Sequence, residues 1–71
     1  MIEIYGNCQT CTLLCNMLET EGIEFEHITD HDKVMAKARF YNVMYMPIVV
    51  NDGLLIERPY DVMEYVRILS K

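Results

Sequence analysis

Positive charge is scarce in this chain. Six Lys and Arg stand against eleven Asp and Glu, leaving a formal net charge of -5 over 71 residues. The six are scattered, and affinity for phosphate backbones comes from clustered basic side chains, which argues against nucleic acid as a partner. Long hydrophobic runs are missing too. None approaches the roughly 20 residues of a membrane span, so no membrane association is expected. The N-terminus enters a strand pattern without the layout of a signal peptide, and a cytoplasmic, reducing location is the expectation. Cysteine is sparse and odd in number, three in all. An odd set in a chain without an export signal argues against a structural disulfide framework. There is no internal repeat, linker or low-complexity segment, and 71 residues leave no room for a second module.

What is present is enough for one small domain, residues 1–71. Apolar residues make up 52% and charged residues 24%, too hydrophobic for a disordered chain. Met1-Ile2-Glu3-Ile4-Tyr5 alternates in period two and reads as a strand ending at the turn residues Gly6-Asn7. From Thr10, the residues Cys11, Leu14, Cys15 and Leu18 form a helical stripe that stops at Gly22, a natural C-terminal cap. Ile23 to Ile28 reads as a second strand, Thr29-Asp30-His31-Asp32 as a polar cap, and Lys33 to Tyr41 as a second helix. This order implies two parallel strands joined by a right-handed crossover. Pro47-Ile48-Val49-Val50 is an apolar strand, Asn51-Asp52-Gly53 a hairpin turn and Leu54 to Glu57 its antiparallel return. Val62, Tyr65, Val66 and Leu69 share one face of a closing helix, with Pro59 early in that run.

Cys8-Gln9-Thr10-Cys11 places two thiols three positions apart where the first strand gives way to the first helix. A thiol that attacks disulfides must be available as thiolate. The start of a helix offers unpaired N–H groups and a positive dipole end to that anion, lowering a pKa of about 8.5 toward 7. Cys8 is therefore the expected nucleophile and Cys11 the buried resolving thiol. Thr10 is expected either to donate a hydrogen bond to the thiolate or to cap the helix. Cys15 shares the Cys11 face and is read as a packing residue.

The order βαβαββα, with Cys-x-x-Cys opening the first helix and a proline opening the third strand, resembles the thioredoxin fold in its shortest, glutaredoxin-like form. The resemblance covers essentially the whole chain. It rests on Ile4-Tyr5 ahead of the cysteine pair, on Gly22-Ile23-Glu24-Phe25-Glu26, and on Met46-Pro47 followed by Ile48-Val49-Val50 and Asp52-Gly53. It implies an α/β fold with a four-stranded mixed sheet and three helices. It also implies a cis Pro47 lying against the cysteine pair, with the backbone of Met46 free to meet an extended substrate.

The departures from the family direct the choice of substrate. Typical glutaredoxins carry a lysine shortly before the pair, an aromatic within it, and polar or basic residues before the proline segment that hold the glutathione carboxylate. Here Gly6-Asn7, Gln9-Thr10 and Val43-Met44-Tyr45 stand at those places. Glu57-Arg58-Pro59 occupies the family's Gly-Gly step, while Asp61 matches one of the acidic residues that follow it. The expected substrate is a protein disulfide, and the expected electron donor a thioredoxin reductase or glutathione. Tyr5, Tyr45, Met46, Pro47 and Asp61 are the candidate substrate-binding residues. Met44 and Met46 flank Pro47 as an adaptable apolar rim, whereas Met17, Met35 and Met63 are assigned to packed helix faces. His27 and His31 are assigned to edge or solvent-facing positions without ligand spacing to the cysteines. No cofactor beyond the Cys8–Cys11 pair and a monomeric state are expected. The alternatives are a metal or iron–sulfur module built on Cys8, Cys11 and Cys15, which would need a further ligand, and a redox-fold binding module whose thiols do not turn over.

Overall fold

The structure, a computed structural model, describes residues 1–57 and 61–70. Seven elements follow one another: β1 Ile2–Tyr5, α1 Gln9–Thr20, β2 Phe25–Ile28, α2 His31–Tyr41, β3 Ile48–Asn51, β4 Leu54–Ile56 and α3 Val62–Leu69. The strands form one mixed sheet in the order β2-β1-β3-β4. β1 runs parallel to β2 and antiparallel to β3, and β4 returns antiparallel to β3. This is the expected βαβαββα architecture.

The period of two seen in β1 divides the core. Ile2 and Ile4 face α1 and α3, where Leu14, Cys15, Leu18, Val49, Tyr65, Val66 and Leu69 close a buried cluster. Tyr5 points the other way, with Ile48, Val50 and Val34 of α2. β3 is apolar at consecutive positions because it lies inside the sheet with both faces covered, alternately supplying Ile48, Val49 and Val50 to the two clusters. The second cluster has the thinner cover, since Val34 is the one buried residue of α2. Lys37 extends this cover by laying its ammonium over the rings of Tyr5, Phe40 and Tyr41 at 5.7, 5.4 and 5.7 Å.

Element ends differ from the sequence pattern where the backbone needs a cap. Gly22 takes φ +71 and its N–H donates to the Glu19 carbonyl, while Ile23 N–H donates to Leu18. This pairing finishes α1 as a Schellman motif, and it takes Ile23 out of the strand, so β2 starts two residues later than its apolar pattern. α2 starts at His31 because the Asp30 carboxylate accepts from Lys33 N–H at 3.2 Å. It ends at Asn42, which adopts the left-handed conformation that the alternation of apolar residues does not disclose. Asp52 and Gly53 both have positive φ, as the Asp-Gly turn requires. The Tyr41 hydroxyl donates to the Gly53 carbonyl at 2.8 Å and ties the end of α2 to that turn. Arg58 and Pro59, and with them most of the Glu57-Arg58-Pro59 step, lie outside the described residues. Among the described residues, no helix is long and apolar enough to cross a membrane.

Candidate active site

The cysteine pair sits where β1 leaves the sheet. β1 ends at Tyr5, the ladder continues one step as Gly6 N–H donates to the Ile28 carbonyl at 3.0 Å, and the chain then turns through Asn7 into α1. Cys8 is the N-cap of α1, with extended backbone angles of φ -124 and ψ 171. Its Sγ accepts from the Cys11 N–H at 3.1 Å, and its carbonyl accepts from the N–H and the hydroxyl of Thr12. A sulfur thus fills the place usually taken by a Ser, Thr, Asp or Asn oxygen. The first turn of α1 contains no acidic residue, so the helix dipole and the orphan N–H groups act on this sulfur without a competing carboxylate.

Cys8 and Cys11 are disulfide-paired, with Cα atoms 5.0 Å apart. Cys8 is half-buried, whereas Cys11 is fully buried. The asymmetry is that of an accessible attacking sulfur and a sheltered second one. Thr10 is not the cap of α1: that place is taken by the Cys8 sulfur, and the Thr12 hydroxyl, one helical turn on, donates to the Cys8 carbonyl.

The Met46-Pro47 bond is cis, and Pro47 is buried. Met46 and Cys11 both bring their sulfur atoms against the same side of Gly6. A Cβ added at Gly6 would stand 2.8 Å from Cys11 Sγ and 3.1 Å from Met46 Sδ, so this glycine is the point at which the β1–α1 loop, the disulfide and the proline segment press together. In the sequence alone Gly6 is only a turn residue. Its φ of +135 and the lack of room for a side chain give it a second reason to be glycine.

Beside Cys8 opens a groove of about 320 Å³ lined by Gly6, Asn7 and Cys8, by Thr29, His31, Val34 and Met35 at the head of α2, and by Met46. His31 and Met35 thus belong to the surroundings of the nucleophile. The sequence pattern places His31 at a solvent-facing or edge position and Met35 on a packed helix face. His31 is exposed, as expected, but Met35 is exposed too instead of packed. Met63 is likewise exposed, while Met17 packs against the core. Met44 is fully exposed and Tyr45 half-buried, both in the loop before Pro47.

One expected substrate-binding residue lies elsewhere. Tyr5 is buried on the α2 side, donates to Glu3 Oε1 at 3.0 Å and lines a different cavity, with Glu26, Lys33 and Phe40. Burial and the neighbouring Glu3 push its phenol up to about 12. Asp61 caps α3, accepting from Met63 N–H at 2.7 Å.

Cys15 packs into the cluster between the sheet, α1 and α3. Burial, with a smaller contribution from Glu19, raises its pKa above the ordinary thiol value, so its thiolate is scarcer than that of an open cysteine. Among the described residues, no three Cys, His, Asp or Glu side chains are gathered so as to hold a metal ion, and Cys15 does not join Cys8 and Cys11 in a ligand set. Alkylation of the reduced native protein at neutral pH should therefore label Cys8 and spare Cys15, as read by peptide mass spectrometry. Labelling of Cys15 at a rate equal to that of the denatured chain would contradict its burial.

The sheet order, the cysteine pair at the head of α1 and the cis proline opposite it define a thioredoxin-like fold of the shortest kind. Among solved structures, the chain is similar to a mutant of the thioredoxin-like protein BC3987, with a TM-score of 0.73 and 22% identity over the whole of both chains. No family model and no curated protein matches it.

Proposed function

We propose that the protein is a small thiol–disulfide oxidoreductase, glutaredoxin-like in form, that reduces protein disulfides through Cys8 and Cys11. The observation that carries this reading is the accessible Cys8 sulfur at a helix N-terminus, paired with a fully buried Cys11. In the reduced protein, Cys8 thiolate attacks one sulfur of the substrate disulfide and releases the other as thiolate. Cys11 thiolate then attacks Cys8, freeing the second substrate thiol and leaving the oxidised pair.

A protein substrate is favoured over glutathione by what surrounds the pair. Among the described residues, the groove beside Cys8 is lined by no Lys or Arg, and the fully exposed Met44 in the loop before Pro47 offers apolar surface suited to a polypeptide. A thioredoxin reductase is the electron donor in this reading, and the protein works as a cytoplasmic monomer. The test is an insulin-reduction assay supplied in parallel by thioredoxin reductase with NADPH and by glutathione with glutathione reductase. Turnover is expected with the first. Efficient turnover with glutathione alone would reverse the assignment of the donor, and reduction by neither would sink the oxidoreductase reading.

A further inference from the structure

We infer that His27 is a positioning residue for the second half of the exchange, acting through the Gly6 peptide. The inference rests on the dithiol reading of the pair. Both polar groups of Gly6 are held by β2. Its N–H donates to the Ile28 carbonyl at 3.0 Å, and its carbonyl lies 2.8 Å from His27 Nε2. A carbonyl only accepts, so Nε2 carries the proton and donates, which both the neutral Nε2–H tautomer and the imidazolium can do. The first of these bonds continues the sheet ladder. The second comes from a side chain 21 residues away on the edge strand, and it fixes the plane of the peptide that leads into Asn7 and Cys8.

That peptide matters because of what rests on it. Gly6 lies so close to Cys11 Sγ and Met46 Sδ that a Cβ there would come within 2.8 and 3.1 Å of them. It therefore forms the wall that sets where the buried Cys11 sulfur sits relative to Cys8. Cys8 is reached from the open groove and needs no such wall. Cys11 must attack Cys8 along the line of the mixed disulfide, and a displacement of about 1 Å is costly for such an intramolecular step. A glycine with its carbonyl untied has the widest freedom to turn away. His27 is itself exposed, so its ring adds little to the core.

The two halves can be timed separately with a small aromatic disulfide. Reduced Cys8 attacks one of its sulfurs and expels one aromatic thiolate, forming a mixed disulfide on Cys8. Cys11 gives its proton to solvent, attacks the Cys8 sulfur and expels the second aromatic thiolate. Two electrons pass from the protein pair to the reagent, and stopped-flow absorbance records two releases. Gln at position 27 places an amide N–H the same number of bonds from Cα as Nε2, Asn falls one bond short, and Leu offers no donor.

His27→Leu and His27→Asn are expected to slow the second release about tenfold, the worth of one neutral hydrogen bond at its upper end, while the first stays within about twofold. His27→Gln is expected to restore most of the second rate. Urea denaturation of the same samples verifies that all three variants are folded. Equal slowing of both releases, no slowing in His27→Leu, or a His27→Gln as slow as His27→Leu would overturn the inference. A wild-type protein that gives both releases yet reduces no protein disulfide would instead fail the proposed function, leaving the comparison among the His27 variants intact.

Discussion

Cys8→Ser is expected to abolish disulfide reduction while leaving the fold intact. The loss is complete because a serine hydroxyl is not ionised at neutral pH and forms no disulfide, so neither half of the exchange can begin. The fold survives because the native sulfur acts as a helix cap, accepting from Cys11 N–H at 3.1 Å, and serine is among the preferred residues for that task. Thermal or urea denaturation should show the variant cooperatively folded, with a midpoint close to that of the reduced wild type. Cys11→Ser should behave differently. Cys8 remains able to attack, but nothing displaces it, so the variant accumulates as a mixed disulfide with its substrate, visible as a covalent adduct by mass spectrometry. Retained turnover in Cys8→Ser would remove the nucleophile assignment. Failure of Cys11→Ser to trap an adduct would mean that another thiol resolves it, and the buried Cys15 would then need to be reconsidered.

Gly6→Ala is expected to cost roughly 2–5 kcal/mol of stability, from a strained backbone and an overfilled contact together. The first contribution comes from φ +135, which residues with a Cβ rarely adopt, and the second from the 2.8 Å approach to Cys11 Sγ. A domain of this size commands only about 5–10 kcal/mol in all, so the variant should be partly unfolded well below the wild-type midpoint. Gly53→Ala serves as the comparison. Its φ is +84, but nothing lies within 4 Å of the added carbon, so it bears a backbone cost of about 1 kcal/mol without the collision. Equal losses in the two variants, measured by urea denaturation, would show that the close packing against Cys11 carries no energy.

The fold was legible because its signals are local and repeated. Cys11, Leu14, Cys15 and Leu18 mark one helix face, Gly22 its end, and Asp52-Gly53 the hairpin, and each is recognised within a few residues. The pair and Pro47 were legible by their spacing and order. What escaped is carried by contacts between distant parts of the chain. The bond from His27 to Gly6 spans 21 residues, and the groove at Cys8 borrows His31 and Met35 from α2. No periodicity records such a meeting. Tyr5 was misplaced for a related reason: its position next to the motif in sequence says nothing about which sheet face it takes, and the alternation that buries Ile4 with α1 sends Tyr5 toward α2. Thr12 meets the Cys8 carbonyl by helix geometry, because the residue four beyond the cap is the one whose N–H and hydroxyl reach the cap's carbonyl.

The capping of α1 by sulfur ties the chemistry of the protein to its folding. In every state of the exchange the Cys8 sulfur stays bonded to its own Cβ, so the helix keeps an acceptor at its first turn throughout a cycle. That acceptor is strongest as the free thiolate, since hydrogen bonds to an anion exceed those to a neutral group. An unfolded chain has no such turn to offer. The reactive form of Cys8 and the ordered start of α1 therefore favour one another, and the Cys11 amide proton becomes a backbone reporter of which partner the sulfur holds.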